Sequence, residues 1–229
     1  MRFACYYLPL AFLYYLRSIE NHIIDNFSVL FRLERYKLKN EDLENFLNFN
    51  KVLSGDLSHA IDLLNREEID VGVSARIYIR AYASWVEGTL WTFKEMIRKV
   101  EYQWHRALPI ESQLYLFEYD WFINNGRPIM RAKKISTEEN LKAFFHVMRQ
   151  IFPGYSVDFG GGGWSSVKYL YEIRDRMMHP KFLSDIERSK DDVLKCEDGR
   201  RWLMEKFKEL FSFIKQRVDL EESRCDESC

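Results

Sequence analysis

The sequence predicts a predominantly all-α fold, a helical bundle with a small β-hairpin insertion, and three observations lead there. Apolar residues recur at helical spacing over most of the chain, as in Ile79, Ala83, Val86, Leu90, Phe93 and Ile97, which share one face at 3.6 residues per turn. Capping residues stand where such stripes begin. One stretch breaks the pattern: YLFEYDWFINNGRPIMRAKKIS reads as two extended segments around Asn125-Gly126, a dipeptide suited to a tight hairpin turn. At 229 residues, rich in Leu, Ile, Phe, Tyr and Trp, the chain is long enough to bury a real core and too apolar to be disordered.

Each element follows in order. Residues 1–36 make an apolar N-terminal helix or extension. Phe3 to Leu16 resembles a signal-peptide core, but no small-x-small cleavage site follows and the run is too short to span a bilayer. A helix packed on the body, or an upstream-start artefact, is the expectation, with no stable membrane insertion. Residues 37–70 are a helical lead-in: Asn40 caps a helix through about Leu53, Ser54-Gly55 breaks it, and Asp56 caps another through about Arg66. The main helical domain spans 71–220. It opens with a long helix from Ser74 to His105, with Pro109 beyond its end, and continues into the hairpin near 115–135. Ser136-Thr-Glu-Glu139 is a capping box opening a helix through about Ile151. A glycine run, Gly160 to Gly163, precedes the next helix; it lacks the Walker lysine and the GxGxxG spacing, so it reads as a connection. A final helix is expected from about Gly199 to Val218, burying Trp202, Met204, Phe207, Leu210, Phe211 and Ile214, and residues 221–229 form a flexible tail.

Charge and cysteine content narrow the function classes. With 34 basic against 35 acidic residues and a net charge of −1, the chain offers no bulk polycation, so any phosphate contact must be local. Cys5, Cys196, Cys225 and Cys229 form no CxxC pair and read as free thiols of a reducing, cytoplasmic setting. His22, His59, His105 and His146 lack Glu-x-x-His or His-x-x-x-His pairing, so neither a metal nor another cofactor is expected.

The chemistry concentrates in WSSVKYLYEIRDRMMHP, Trp164 to Pro180. Val167, Leu170, Tyr171, Arg174, Met177 and Met178 follow one helix face, putting Arg174 where periodicity asks for an apolar residue. A guanidinium cannot shed its charge, and desolvating it costs several kcal/mol unless a carboxylate, an anion or a water-filled groove receives it. Pro180 disfavours α geometry at His179, which therefore sits at or just beyond the last helical turn, where terminal carbonyls favour a positive imidazole. On the long helix, Glu87 lies beside Ala83, Leu90 and Trp91. Two opposite charges on two core-facing stripes suggest an interhelical ion pair.

On these residues a resemblance appears. IRDRMMHP resembles the Arg-x(4 to 6)-His signature of the HEPN superfamily, SWVEGTLW resembles its upstream acidic helix, and the hairpin is similar to an insertion in a bacterial branch. The similarity covers roughly Ser74 to Val218. Arg17 to His22 and Arg98 to His105 meet the bare spacing as well; what distinguishes Arg174 to His179 is the apolar stripe, the proline and the acidic partner. The chain departs from the family where Asn often follows the arginine, because it has Asp175 there.

The resemblance implies a metal-independent endoribonuclease of the toxin-antitoxin or phage-defence kind, acting on RNA as a homodimer, with an antitoxin as a possible partner. His179 and Arg174 would be its catalytic pair, supported by Glu87 and Asp175. Asp175 would either repel an RNA phosphate or orient Arg174 or His179. Two other readings stay open: a catalytically inactive HEPN-like dimerisation or nucleotide- or RNA-binding module, and a plain structural helical protein in which His179 caps carbonyls.

Overall fold

A computed structural model describes residues 40–66, 68–100, 108–133 and 135–226. The apolar segment at 1–36, with Cys5, Arg17 and His22, lies outside the described residues, as do 101–107 with His105. The described chain is predominantly helical: α1 (Asn40–Leu64), α2 (Val71–Val100), α3 (Ile110–Phe117), strands β1 (Tyr119–Asn124) and β2 (Arg127–Ala132), α4 (Thr137–Ile151), α5 (Gly162–Met178) and α6 (Lys190–Asp226), with a 3-10 turn at Leu183–Asp185. Among the described residues, no helix is long and apolar enough to cross a membrane.

Helix α2 is the axis of the bundle, touching α1, α3, α4, α5 and α6. Its buried stripe of Ala75, Tyr78, Ile79, Tyr82, Val86, Leu90 and Phe93 is nearly solvent-free, which explains why it is the clearest helix in the sequence. Asp70 starts it by accepting from the Val73 amide at 3.0 Å, a few residues before the expected Ser74. Around Phe93 the core is aromatic: its ring stacks on Phe207 and Phe211, both with centroids at 5.5 Å, and meets Phe144 at 5.1 Å.

The expected break at Ser54-Gly55 does not occur, and α1 is one helix. Gly55 meets nothing within 4 Å and carries only its intrinsic cost of roughly 0.5–1 kcal/mol. Phe46 on one side and Leu57, Ala60 and Ile61 on the other are buried, while the buried Ser54 hydroxyl accepts from Trp85 Nε1 at 3.2 Å. Packing outweighs the local signal. Gly88 on α2 lets the two helices close, since a Cβ there would stand 2.2 Å from Leu53 Cδ1.

The hairpin forms around Asn125 (φ 49°) and Gly126 (φ 76°), the left-handed pair a type I′ turn requires. Tyr119 pairs with Ala132 and Asn124 with Arg127 in antiparallel register. It starts later than expected, because residues 115–117 close α3 instead: Tyr115 and Leu116 are buried. Glu118 then turns the chain with φ 56°, held by the buried Lys94 at 2.8 Å. Every residue of β2 is exposed.

Ser136 caps α4 by accepting from the Glu139 amide at 3.2 Å, and the helix ends at Ile151, as the capping box predicts. Helix α6 is longer than its periodicity suggests, running from Lys190 through Asp226 rather than Gly199 to Val218. Ser189 and Asp192 cap it reciprocally, at 3.3 Å from the Asp192 amide to Ser189 Oγ and 2.7 Å from the Ser189 amide to Asp192 Oδ2. The start nine residues upstream places Gly199 mid-helix, where a Cβ would come within 2.8 Å of the Ser166 and Val167 backbone. That close approach joins α5 to α6.

Candidate functional site

Helix α5 begins at Gly162 behind Gly161, whose φ of 88° suits glycine; the glycine run is a helix entry. Val167, Leu170, Tyr171, Ile173 and Met177 are buried, and Arg174 lies among them by spacing. Its side chain is nevertheless 24% exposed. The aliphatic stem lets the guanidinium pass the Tyr171 ring, 5.4 Å from its centroid, and emerge where α5 meets α2. The expected buried guanidinium is thus a snorkelling one. Met178, placed on the same stripe by the sequence, is likewise exposed.

Two carboxylates meet Arg174. Nη2 donates to Glu87 Oε1 across the α2–α5 contact, and Nη1 donates to Asp175 Oδ1 at 2.8 Å. Glu87 Oε1 also accepts from Thr137 Oγ1 at 3.0 Å, so one carboxylate joins α2, the first turn of α4 and α5. The positive end of the α4 dipole favours an anion there. Glu87 is 43% exposed, which corrects the expectation of an interior pair. The two charges meet, but in contact with water.

His179 closes α5. Its backbone amide donates to the Asp175 carbonyl at 3.1 Å, and φ −130° with ψ 57° takes it off the helix, in line with the restriction Pro180 imposes. The residue is exposed, and its ring makes no hydrogen bond to the described residues. Five positions separate it from Arg174, a rise of about 7.5 Å on an ideal helix. Arg174, Asp175 and His179 therefore share one end of α5, with Glu87 reaching them from α2.

A buried ion pair lies elsewhere, on α6. Arg200 of α6 is 2% exposed and donates from Nε to Glu197 Oε2 at 2.7 Å and from Nη2 to Glu197 Oε1 at 2.6 Å. Tyr78 OH of α2 donates to the same Glu197 Oε2 at 2.8 Å. Burial alone would lower the Arg200 pKa, and the Glu197 carboxylate more than reverses that, leaving it raised. Tyr78 is pushed well above its ordinary range, first by burial and then by the Glu197 charge. Nearby, the buried hydroxyls of Tyr82 and Tyr171 have no hydrogen-bond partner among the described residues. The signal was present: Val193, Cys196, Arg200, Leu203, Phe207, Leu210 and Ile214 keep a three-four spacing through α6. A helix starting at Gly199 hides it, since Arg200 then falls in a first turn instead of mid-stripe. Cys196, on that stripe, is a buried free thiol whose pKa burial raises to about 12.

No protein-family model, curated protein or solved structure matches the chain. Function has to be inferred from the residues.

Proposed function

We propose that the chain is a metal-independent endoribonuclease of the toxin or phage-defence type, built on an HEPN-like bundle and working through Arg174 and His179. The supporting observation is that a water-accessible guanidinium and a water-accessible helix-end imidazole share one end of α5. His179 takes the proton of a ribose 2′-hydroxyl, the 2′-oxygen attacks the adjacent phosphorus, and the bond to the 5′-oxygen breaks as the imidazolium returns the proton to it, giving a 2′,3′-cyclic phosphate. Arg174 carries the charge that builds on the phosphoryl oxygens. Glu87 and Asp175 hold the guanidinium in place. With Arg174–His179 the one convincing Arg-His motif of the chain, a two-sided groove calls for a symmetric homodimer, and an antitoxin would cover that groove.

The test is cleavage of a mixed-sequence RNA in EDTA with end-group analysis. Wild type should leave 2′,3′-cyclic phosphates, His179→Ala should lose about 100-fold or more in rate with an unchanged circular dichroism spectrum, and His22→Ala and His105→Ala should keep full rate. Full activity in the His179 variant, or a requirement for a divalent metal, refutes the reading. Light scattering that finds a monomer in a preparation that still cleaves RNA refutes the dimer.

One observation favours the inactive, binding-module alternative. Both Glu87 and Asp175 already occupy Arg174, so an RNA phosphate has to displace a carboxylate to reach it. Absence of cleavage by well-folded wild type would select this alternative.

A further inference from the structure

A cleft of about 520 Å³ lies between α4 and the segment at 156–159. Its size falls in the range of small-molecule sites. Lys142, His146 and Arg149 line it from successive turns of α4, and Glu139 stands at the opposite end from Arg149, about 15 Å away along the helix axis at 1.5 Å per residue. Arg149 has no ion-pair or hydrogen-bond partner among the described residues, and Lys142 is occupied only by the Trp164 ring, with Nζ 5.4 Å from its centroid. Both are exposed. In a chain of net charge −1, this is a local concentration of unneutralised cations facing a concavity.

The opposite wall is aromatic and fixed. Phe159 lines the cleft and is clamped by Trp164 at 4.9 Å, Phe145 at 6.0 Å and Trp202 at 6.1 Å between centroids. A ring held on three sides presents its remaining surface without further loss of freedom. His146 is oriented as well. Ser112 Oγ donates to Gln150 Oε1 at 2.7 Å, which directs the Gln150 amide nitrogen to His146 Nε2 at 2.9 Å and leaves the proton of the neutral ring on Nδ1.

We infer that this cleft binds a nucleoside 5′-monophosphate, either free or as the 5′ end of an RNA. A phosphate is received by Lys142 and Arg149, with the His146 ring beside them. The base packs on the Phe159 wall, as bases do on aromatic side chains in single-strand sites, and Glu139 accepts from an exocyclic amine. An inorganic anion would use the cations and ignore the wall. An acidic peptide would have no use for an aromatic wall. Neither Arg174 nor His179 lines the cleft, and the inference does not depend on the ribonuclease reading.

Calorimetric titration of the full chain with AMP, adenosine and inorganic phosphate at low salt tests this. AMP should bind saturably below about 1 mM, and adenosine and phosphate each at least 10-fold more weakly, because each satisfies half of the cleft. Lys142→Ala and Arg149→Ala are surface changes and should each weaken AMP about 10-fold or more without altering the melting temperature. His179→Ala should bind AMP as wild type does, so a failed cleavage assay and a failed binding assay remain distinguishable. A cleavage-resistant 2′-O-methyl RNA tetramer with a 5′-phosphate that displaces AMP assigns the site to RNA ends; one that does not assigns it to free nucleotide. Phosphate or a polyglutamate peptide binding as tightly as AMP, displacement by the 5′-hydroxyl tetramer equal to that by the phosphorylated one, or AMP binding indifferent to Arg149→Ala overturns the inference.

Discussion

Arg174 and Arg200 both sit within apolar stripes of long helices that pack on α2, and both meet a glutamate, yet they live in different solvents. Arg200 and Glu197 are nearly water-free, with side chains 2% and 6% exposed. Each satisfies the other through two hydrogen bonds, and Tyr78 adds a third. Arg174 and Glu87 belong to the same chemical pair at a helix end, where the guanidinium escapes past Tyr171. The contrast teaches that a charge in an apolar stripe signals burial only when the helix continues well past it on both sides. Ten residues of α6 precede Arg200 and a long run follows it, whereas α5 ends four residues after Arg174. The deep pair is shielded from water, and the shallow one meets it.

The largest expected effect comes from the deep pair. Glu197→Ala removes the carboxylate that accepts two hydrogen bonds from a buried guanidinium and should cost about 3–5 kcal/mol in urea unfolding, whereas replacing both partners with Glu197→Leu and Arg200→Met should be far milder. If the double change cost as much as the single one, the account of Arg200 as a charge needing its partner would fail.

An intermediate effect is expected between the two pairs. Tyr82→Phe removes a buried hydroxyl that has no partner among the described residues and should be neutral or stabilising by about 1 kcal/mol. A clear loss of stability would show that an internal water bridges that hydroxyl.

The smallest effect belongs to the shallow pair. Glu87→Ala should change stability by under about 1 kcal/mol, and the change should shrink further in 1 M salt. An interior pair would instead cost about 3–5 kcal/mol, so thermal melts of the two glutamate variants side by side decide the comparison directly.

Much of the fold was legible because its signals are local. The Ser136–Glu139 capping box, the Asn125-Gly126 turn and the α2 stripe each specify their element within a few residues. What was misread depends on contacts between distant segments. Nothing near Ser54-Gly55 announces that Trp85 will meet Ser54, and nothing in residues 115–117 announces that Lys94 will cross to Glu118. The candidate site shows the same division. His179 at the end of α5 follows from Pro180, and a meeting of Glu87 with Arg174 follows from two interrupted stripes. How far water reaches them depends on where α5 stops relative to α2, which periodicity does not encode. The α4 cleft was invisible in the sequence because its wall, Phe159, comes from a segment with no regular structure.

The hairpin has a consequence for how the molecule opens. A two-stranded ribbon is marginal by itself in water, and this one joins the helices at its base, through α3, the Glu118 turn and the 2.7 Å bond from the Lys133 amide to the Glu118 carbonyl. Ile123 is 77% exposed at its far end, and every residue of β2 is exposed. Their amides should therefore exchange with deuterated solvent through local fraying at a small free energy. Those of the central helix should wait for global unfolding. The chain would thus behave as two cooperative units of unequal depth, hinged at a glutamate in a left-handed conformation.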